Sequence, residues 1–170
     1  PFLPLFALAM GANKIEISLV TALPALLSNL LQVPAALFTR KSGSRKRIYL
    51  ISGFWGRLLW IPIGLLPLLL RDRALIYAFL GLLSIRAMAA MMGVPGWTSL
   101  MADLVPTRLR GMYFSNRFLT VNAGALAATL AAGWLIGAFG YPKGYIYALG
   151  AAAGFGAISL LYFSRLPEPP

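Results

Sequence analysis

Apolar runs of roughly 20 residues recur along this chain, each about the length needed to cross a hydrocarbon core of roughly 30 Å. The complete runs cover residues 17–38, 48–70, 74–104, 113–139 and 145–163. No other feature constrains the fold as strongly. Inside hydrocarbon a backbone must satisfy its own hydrogen bonds, and a single segment of this length does so only as an α-helix. Composition agrees: 59% of the 170 residues are apolar, 11% are charged and the mean hydropathy is +0.78. A water-soluble domain of this size has too little interior to hide so much apolar surface. The expected fold class is an all-α polytopic membrane protein.

Chemistry is limited by what the chain lacks. It has no Cys and no His, and its four acids, Glu16, Asp72, Asp103 and Glu168, lie far apart in sequence. No nucleophile–base pair, disulfide or zinc site is expected, so the chain reads as a non-enzyme without a cofactor or metal. A net charge of +11 would suggest nucleic acid in a soluble protein. Here the basic residues sit mostly in short loops between apolar runs, where they set topology and meet anionic lipid. The expected partner is the bilayer, and no nucleic acid.

The loops divide unequally. One side holds Arg40, Lys41, Arg45, Lys46, Arg47, Arg108, Arg110, Arg117 and Arg165, nine in all, and the other only Lys14, Arg71, Arg73 and Lys143. The side with nine should be cytoplasmic, which puts loops 39–47 and 105–112 and the C-terminal tail inside. Residues 1–12 would span only about 18 Å as a helix, and Pro1 is no initiator Met, so the chain reads as a piece cut within its first helix. Residues 1–166 form one bundle, a partial helix followed by five complete ones, and 167–170 start a linker.

Polar residues inside the runs are the candidates for function, because a polar group facing lipid is costly. Ser28, Asn29 and Gln32 share one side of a helix, which suits either interhelical hydrogen bonding or a solute path. Arg57 lies nine residues into its run, about 14 Å deep, where it either snorkels to the interface or meets a partner in the bundle. Trp55 and Trp60 flank it as candidate cation–π partners or packing residues. Arg86 lies twelve residues past Ala74, about 18 Å deep between apolar flanks, facing water or a partner, or else bonded to carbonyls or to the Asn29/Gln32 face. Gly93, Pro95 and Gly96 predict a kink or an early stop. The pairs Gly133 and Gly137, and Gly150 and Gly154, have a four-residue spacing that lets helices approach closely.

The polar interruption at 97–118 contains Ala102-Asp103-Leu104, then Pro106-Thr107-Arg108-Leu109-Arg110-Gly111, then Phe114 and Arg117. This stretch resembles the Pro-x-x-x-Arg-Gly loop of many bacterial members of the major facilitator superfamily. The layout as a whole resembles the N-terminal six-helix half of such a transporter. The loop between the second and third helices is similar to the family motif G-x-L-A-D-R-x-G-R-[KR] when aligned on Gly43. Ala36 then replaces the first Gly, Arg40 the Asp and Ser44 the following Arg, while Arg45 takes the last position. Arg86 matches the Arg of R-x-x-x-G-x-G, with Ala90 and Met92 in place of the glycines. Gly124, Gly133 and Gly137 match the first glycines of the antiporter motif G-x8-G-x3-G-P-x-x-G-G, while Ala138 and Tyr141-Pro142 depart from it.

The resemblance implies secondary transport of a small solute by alternating access in a bacterial inner membrane, with or without coupling to a proton or another ion. The C-terminal half of the same polypeptide would complete the path. Arg86, Asn29, Gln32 and Arg57 are then candidates for the translocation path. Gly43, Arg45, Asp103, Pro106, Arg110, Gly111 and Arg117 are candidates for the cytoplasmic gate. Since the family's latch acid is replaced by Arg40, either Asp103 takes the anionic role, pairing with Arg110 or the 40–47 cluster in one state only, or the latch works differently. A non-transporting receptor or scaffold with the same fold is the alternative.

Overall fold

The computed structural model describes residues 2–166. The linker expected at 167–170, with Glu168, lies outside the described residues. Every regular element among the described residues is helical: α1 (Leu3–Ala9), α2 (Lys14–Leu30), α3 (Gln32–Lys41), α4 (Arg45–Leu58), α5 (Trp60–Leu69), α6 (Asp72–Leu104), α7 (Arg110–Phe139) and α8 (Lys143–Ser164). A 3₁₀ turn, Thr107–Leu109, joins α6 to α7.

Caps and prolines set the ends and breaks. Asn13 opens α2 with a capping box: its Oδ1 accepts from the Glu16 N–H at 2.9 Å, and Glu16 Oε2 accepts from the Asn13 N–H at 2.8 Å. Reciprocal satisfaction of these end groups starts the helix ahead of the apolar run. Pro34 has no N–H for the Leu30 carbonyl, and α2 meets α3 at Leu31 with a bend of 40°. Likewise Pro62 has nothing to donate to Leu58, and the run 48–70 breaks at Leu59 between α4 and α5.

Of the kink or early stop expected at 93–96, the stop does not occur. Helix α6 continues through Gly93, Pro95 and Gly96 to Leu104 without stopping. These glycines instead admit a neighbouring helix. A Cβ on Gly96 would lie 2.8 Å from the Arg45 carbonyl oxygen, a Cβ on Gly56 would lie 3.6 Å from the Ala90 Cα, and Ser52 covers Gly93. Helices α4 and α6 therefore pack nearly backbone to backbone along a seam of small residues.

Four helical stretches are long and apolar enough to cross a membrane: Arg45–Leu69, Asp72–Leu104, Thr107–Phe139 and Lys143–Ser164. The bent pair α2 and α3 makes a fifth if it is one span. Two apolar clusters close the ends of the bundle. At the end carrying α1, Phe6 stacks on Tyr145 with ring centroids 4.6 Å apart and meets Phe79 edge-on at 5.4 Å, among Val20, Ile63 and Leu83. At the other end Leu100, Met101 and Phe163 are buried against Tyr49, Trp97 and Phe114. Helix α7 packs mainly on α8 and buries none of its residues.

Gly96→Val should force α4 from α6 and destabilise the protein by about 1–3 kcal/mol, the usual cost of overpacking. Gly81→Ala, where no atom lies within 4 Å, should be neutral or stabilising. Thermal melts of both variants in detergent check this.

Candidate functional site

Between the two end clusters lies a cavity of about 520 Å³, bounded by α1, α5, α6, α7 and α8. Its wall is apolar apart from Arg86, Thr129, the Trp60 indole and the Tyr145 hydroxyl. Arg86 stands 14 residues past Asp72, about 21 Å along α6, near the middle of that helix. Its guanidinium carbon lies 3.9 Å from the Trp60 ring centroid. Its Nε is buried and has no hydrogen-bond partner among the described residues. An unpaired polar atom at such depth is costly, so the feature marks a place where an acceptor is wanted.

Arg57 behaves differently. Its Nη1 donates to the Gly53 carbonyl one turn earlier, at 3.0 Å, and its stem lies against α8, where a Cβ on Gly156 would come within 2.7 Å of Cδ. It is a packed residue between α4 and α8, and the tryptophan expected beside it, Trp60, stacks on Arg86 instead. Asn29 and Gln32 are exposed on either side of the break at Leu31 and do not line the cavity; Ser28 Oγ donates to the Ala25 carbonyl at 3.0 Å.

The expected gate residues gather at the basic end of the bundle. Asp103 pairs with Arg45, a member of the 40–47 cluster, through Oδ2 and Nη1, and both side chains are about half exposed. Arg110 takes another role: its Nε donates to the Val105 carbonyl at 3.1 Å and closes the elbow around Pro106. The Arg117 guanidinium lies 4.0 Å from the Trp97 ring centroid and ties α7 to α6. Gly43 has φ +71, a left-handed turn that a side chain would strain, and it reverses the chain from α3 into α4. Gly111 is exposed in the first turn of α7 with no atom within 4 Å of a Cβ position.

Of the packing glycines, a Cβ on Gly133 would lie 3.5 Å from the Phe2 ring, while nothing lies within 4 Å of a Cβ on Gly124, Gly137, Gly150 or Gly154. Close contact falls at Gly56, Gly93 and Gly96 on the α4–α6 seam. Spacing along one helix cannot reveal it, because the small partners sit on another.

Sequence reasoning also missed two tethers. Lys46 Nζ donates to the Leu166 carbonyl at 2.6 Å, joining the start of α4 to the end of α8. The buried Glu16 lies 3.7 Å from Arg73 and links the starts of α2 and α6. No signal in the sequence pointed to either, since both depend on how the ends meet. Among the described residues no group of three or more His, Cys, Asp or Glu could hold a metal ion.

The chain matches the family model of the Major Facilitator Superfamily over residues 1–170. Comparison with curated proteins gives no significant match, and comparison with solved structures gives none either.

Because the Arg45–Asp103 pair is half exposed, a double-mutant cycle with Arg45→Ala and Asp103→Asn should give a coupling of at most about 1 kcal/mol. The coupling should shrink as salt is added. Thermal stability in detergent at low and high ionic strength reads it.

Proposed function

Since the chain belongs to the major facilitator superfamily, whose members carry small solutes across membranes, we propose that it is part of a secondary transporter working by alternating access. The observation that carries this reading is the cavity between the end clusters with a buried, partnerless nitrogen of Arg86 on its wall. Solute sites of such transporters lie near the bilayer midplane, where helix bundles meet. The position of Arg86 near the middle of α6 accords with that. The role is transport, not catalysis.

A second helical bundle, the C-terminal half of the polypeptide, completes the path and packs against α7. Two features support this: α7 buries no residue, and an apolar groove of about 480 Å³ runs along it beside Leu109, Tyr113 and Arg117. The basic end faces the cytoplasm, on the nine-to-four imbalance of loop charges. The membrane is then a bacterial inner membrane, in keeping with the Pro106-to-Gly111 loop. No carboxylate lines the cavity among the described residues, so a carboxylate that coupled transport to a proton would come from elsewhere in the polypeptide.

The gate works by exchange of partners. Arg45 and Asp103 belong to the same bundle, so rigid rocking leaves their pair intact. It changes only when the second bundle offers either residue a competing partner. At about 1 kcal/mol the pair biases two states by roughly fivefold without locking one.

In vesicles carrying the full-length protein, Arg86→Ala should lower solute flux tenfold or more, the effect of losing a charge-assisted hydrogen bond of about 1.5–3 kcal/mol. Unchanged flux would remove Arg86 from the path. These 170 residues contribute no thiol, so in a full-length protein cleared of any other Cys, one placed at Thr129 in the cavity can be labelled selectively. Its labelling rate from one side of the membrane should change when solute is added. A rate indifferent to every transported solute would count against alternating access.

A further inference from the structure

The deep charges of this chain are two arginines without an acid. Glu16 is held by Asn13 and Arg73, and Asp103 by Arg45. Asp72 starts α6, and Glu168 lies outside the described residues. The two arginines differ in how fully they are committed. Arg57 donates to the Gly53 carbonyl and packs its stem on α8. Arg86 has one face of its guanidinium on Trp60 and a buried Nε with no acceptor. A ring face attracts a cation but accepts none of its in-plane N–H bonds, so the edge of the guanidinium keeps its demand for an anion.

The rest of the cavity restricts the body that carries the anion. On α7 the wall runs from alanines at Ala125, Ala128 and Ala132 to Leu135 and Ile136, with Thr129 its one hydroxyl; on α8 it includes Ala152 and ends at Phe155. Small side chains make a smooth wall that takes a flat surface, and the aromatic rings at its margins favour a ring system. A volume of about 520 Å³ falls in the range of small-molecule sites, which pair an apolar lining with a few placed polar groups.

We propose that this cavity binds an organic monoanion with a flat apolar body, its carboxylate on the Arg86 guanidinium and its ring system along the small-residue wall beside Trp60. The inference rests on the reading of this cavity as the solute site, and it names the substrate class. Arg86 sets charge selectivity, because an uncharged analogue leaves the guanidinium edge with a weaker acceptor. A cationic analogue is repelled.

Equilibrium binding to the full-length protein in detergent, followed by titration calorimetry, tests this independently of transport. The probes are 1-naphthoate, the neutral 1-naphthamide and the cationic 1-naphthylmethylammonium. Wild-type protein should bind the acid at least about tenfold tighter than the amide, and the ammonium compound not at all. Arg86→Lys should keep part of that preference, and Arg86→Gln should bring the acid-to-amide ratio to about one. Equal affinity for acid and amide in wild-type protein would overturn the proposal, and it is the result expected if an acid elsewhere in the polypeptide already occupies Arg86. A preference that survives Arg86→Gln would overturn it as well. The wild-type comparison stands even if a variant fails to fold. Selective binding without flux would sink the transport reading while leaving the site intact, so the two failures are distinguishable.

Discussion

The close approach of α4 and α6 underlies the rest of this bundle. Three small contacts, Gly96 on the Arg45 carbonyl, Gly93 under Ser52 and Gly56 on Ala90, bring the two backbones together along antiparallel paths. In lipid no hydrophobic effect drives helices into one another, so tight van der Waals contact of this kind carries much of their association. The seam also aligns the chemistry. Trp60 lies four residues beyond Gly56 and Arg86 four residues before Ala90, so the cation–π stack sits one turn beyond the Gly56–Ala90 contact. At the seam's other end the same approach brings Arg45 to Asp103.

Helix breaks in this protein serve packing. Pro34 and Pro62 each withhold one N–H, and the chain bends or re-starts at Leu31 and Leu59. Pro95 lies within α6 without ending it. The difference is one of surroundings. Around Pro95 the flanking glycines let α4 come close, and the packed seam holds the helix through the missing bond.

Charges are handled by two separate means. Near the bundle ends, arginines find carboxylates, carbonyls or ring faces: Arg45 on Asp103, Arg110 on Val105 and Arg117 on Trp97. In the middle, Arg57 turns back on its own helix, while Arg86 lines a cavity with its Nε buried and unpaired. A single uncommitted donor in an apolar cavity is a means of selecting one charge sign, because every alternative ligand leaves that donor short of an acceptor.

The all-helical membrane fold and the superfamily are legible in the sequence. The length and apolarity of the runs, and a loop motif such as 106–111, are properties of contiguous residues and survive any arrangement of the helices. The depth of Arg86 is legible for the same reason, since helical rise converts sequence distance into height. Which face a residue presents, and to whom, is not. Arg57 and Arg86 look alike in sequence, yet one is packed and the other is free. Asn29 and Gln32 share a helical side that falls beside a break, and Gly93 and Gly96, which read as a kink or a stop, open a seam. Contacts between helices depend on the rotation of each about its axis, and that rotation is set jointly by partners far apart in the chain. Sequence by itself determined that these helices cross a membrane with an arginine deep among them; only the tertiary structure decided that Trp60 covers one face of that arginine and that its Nε is left without a partner.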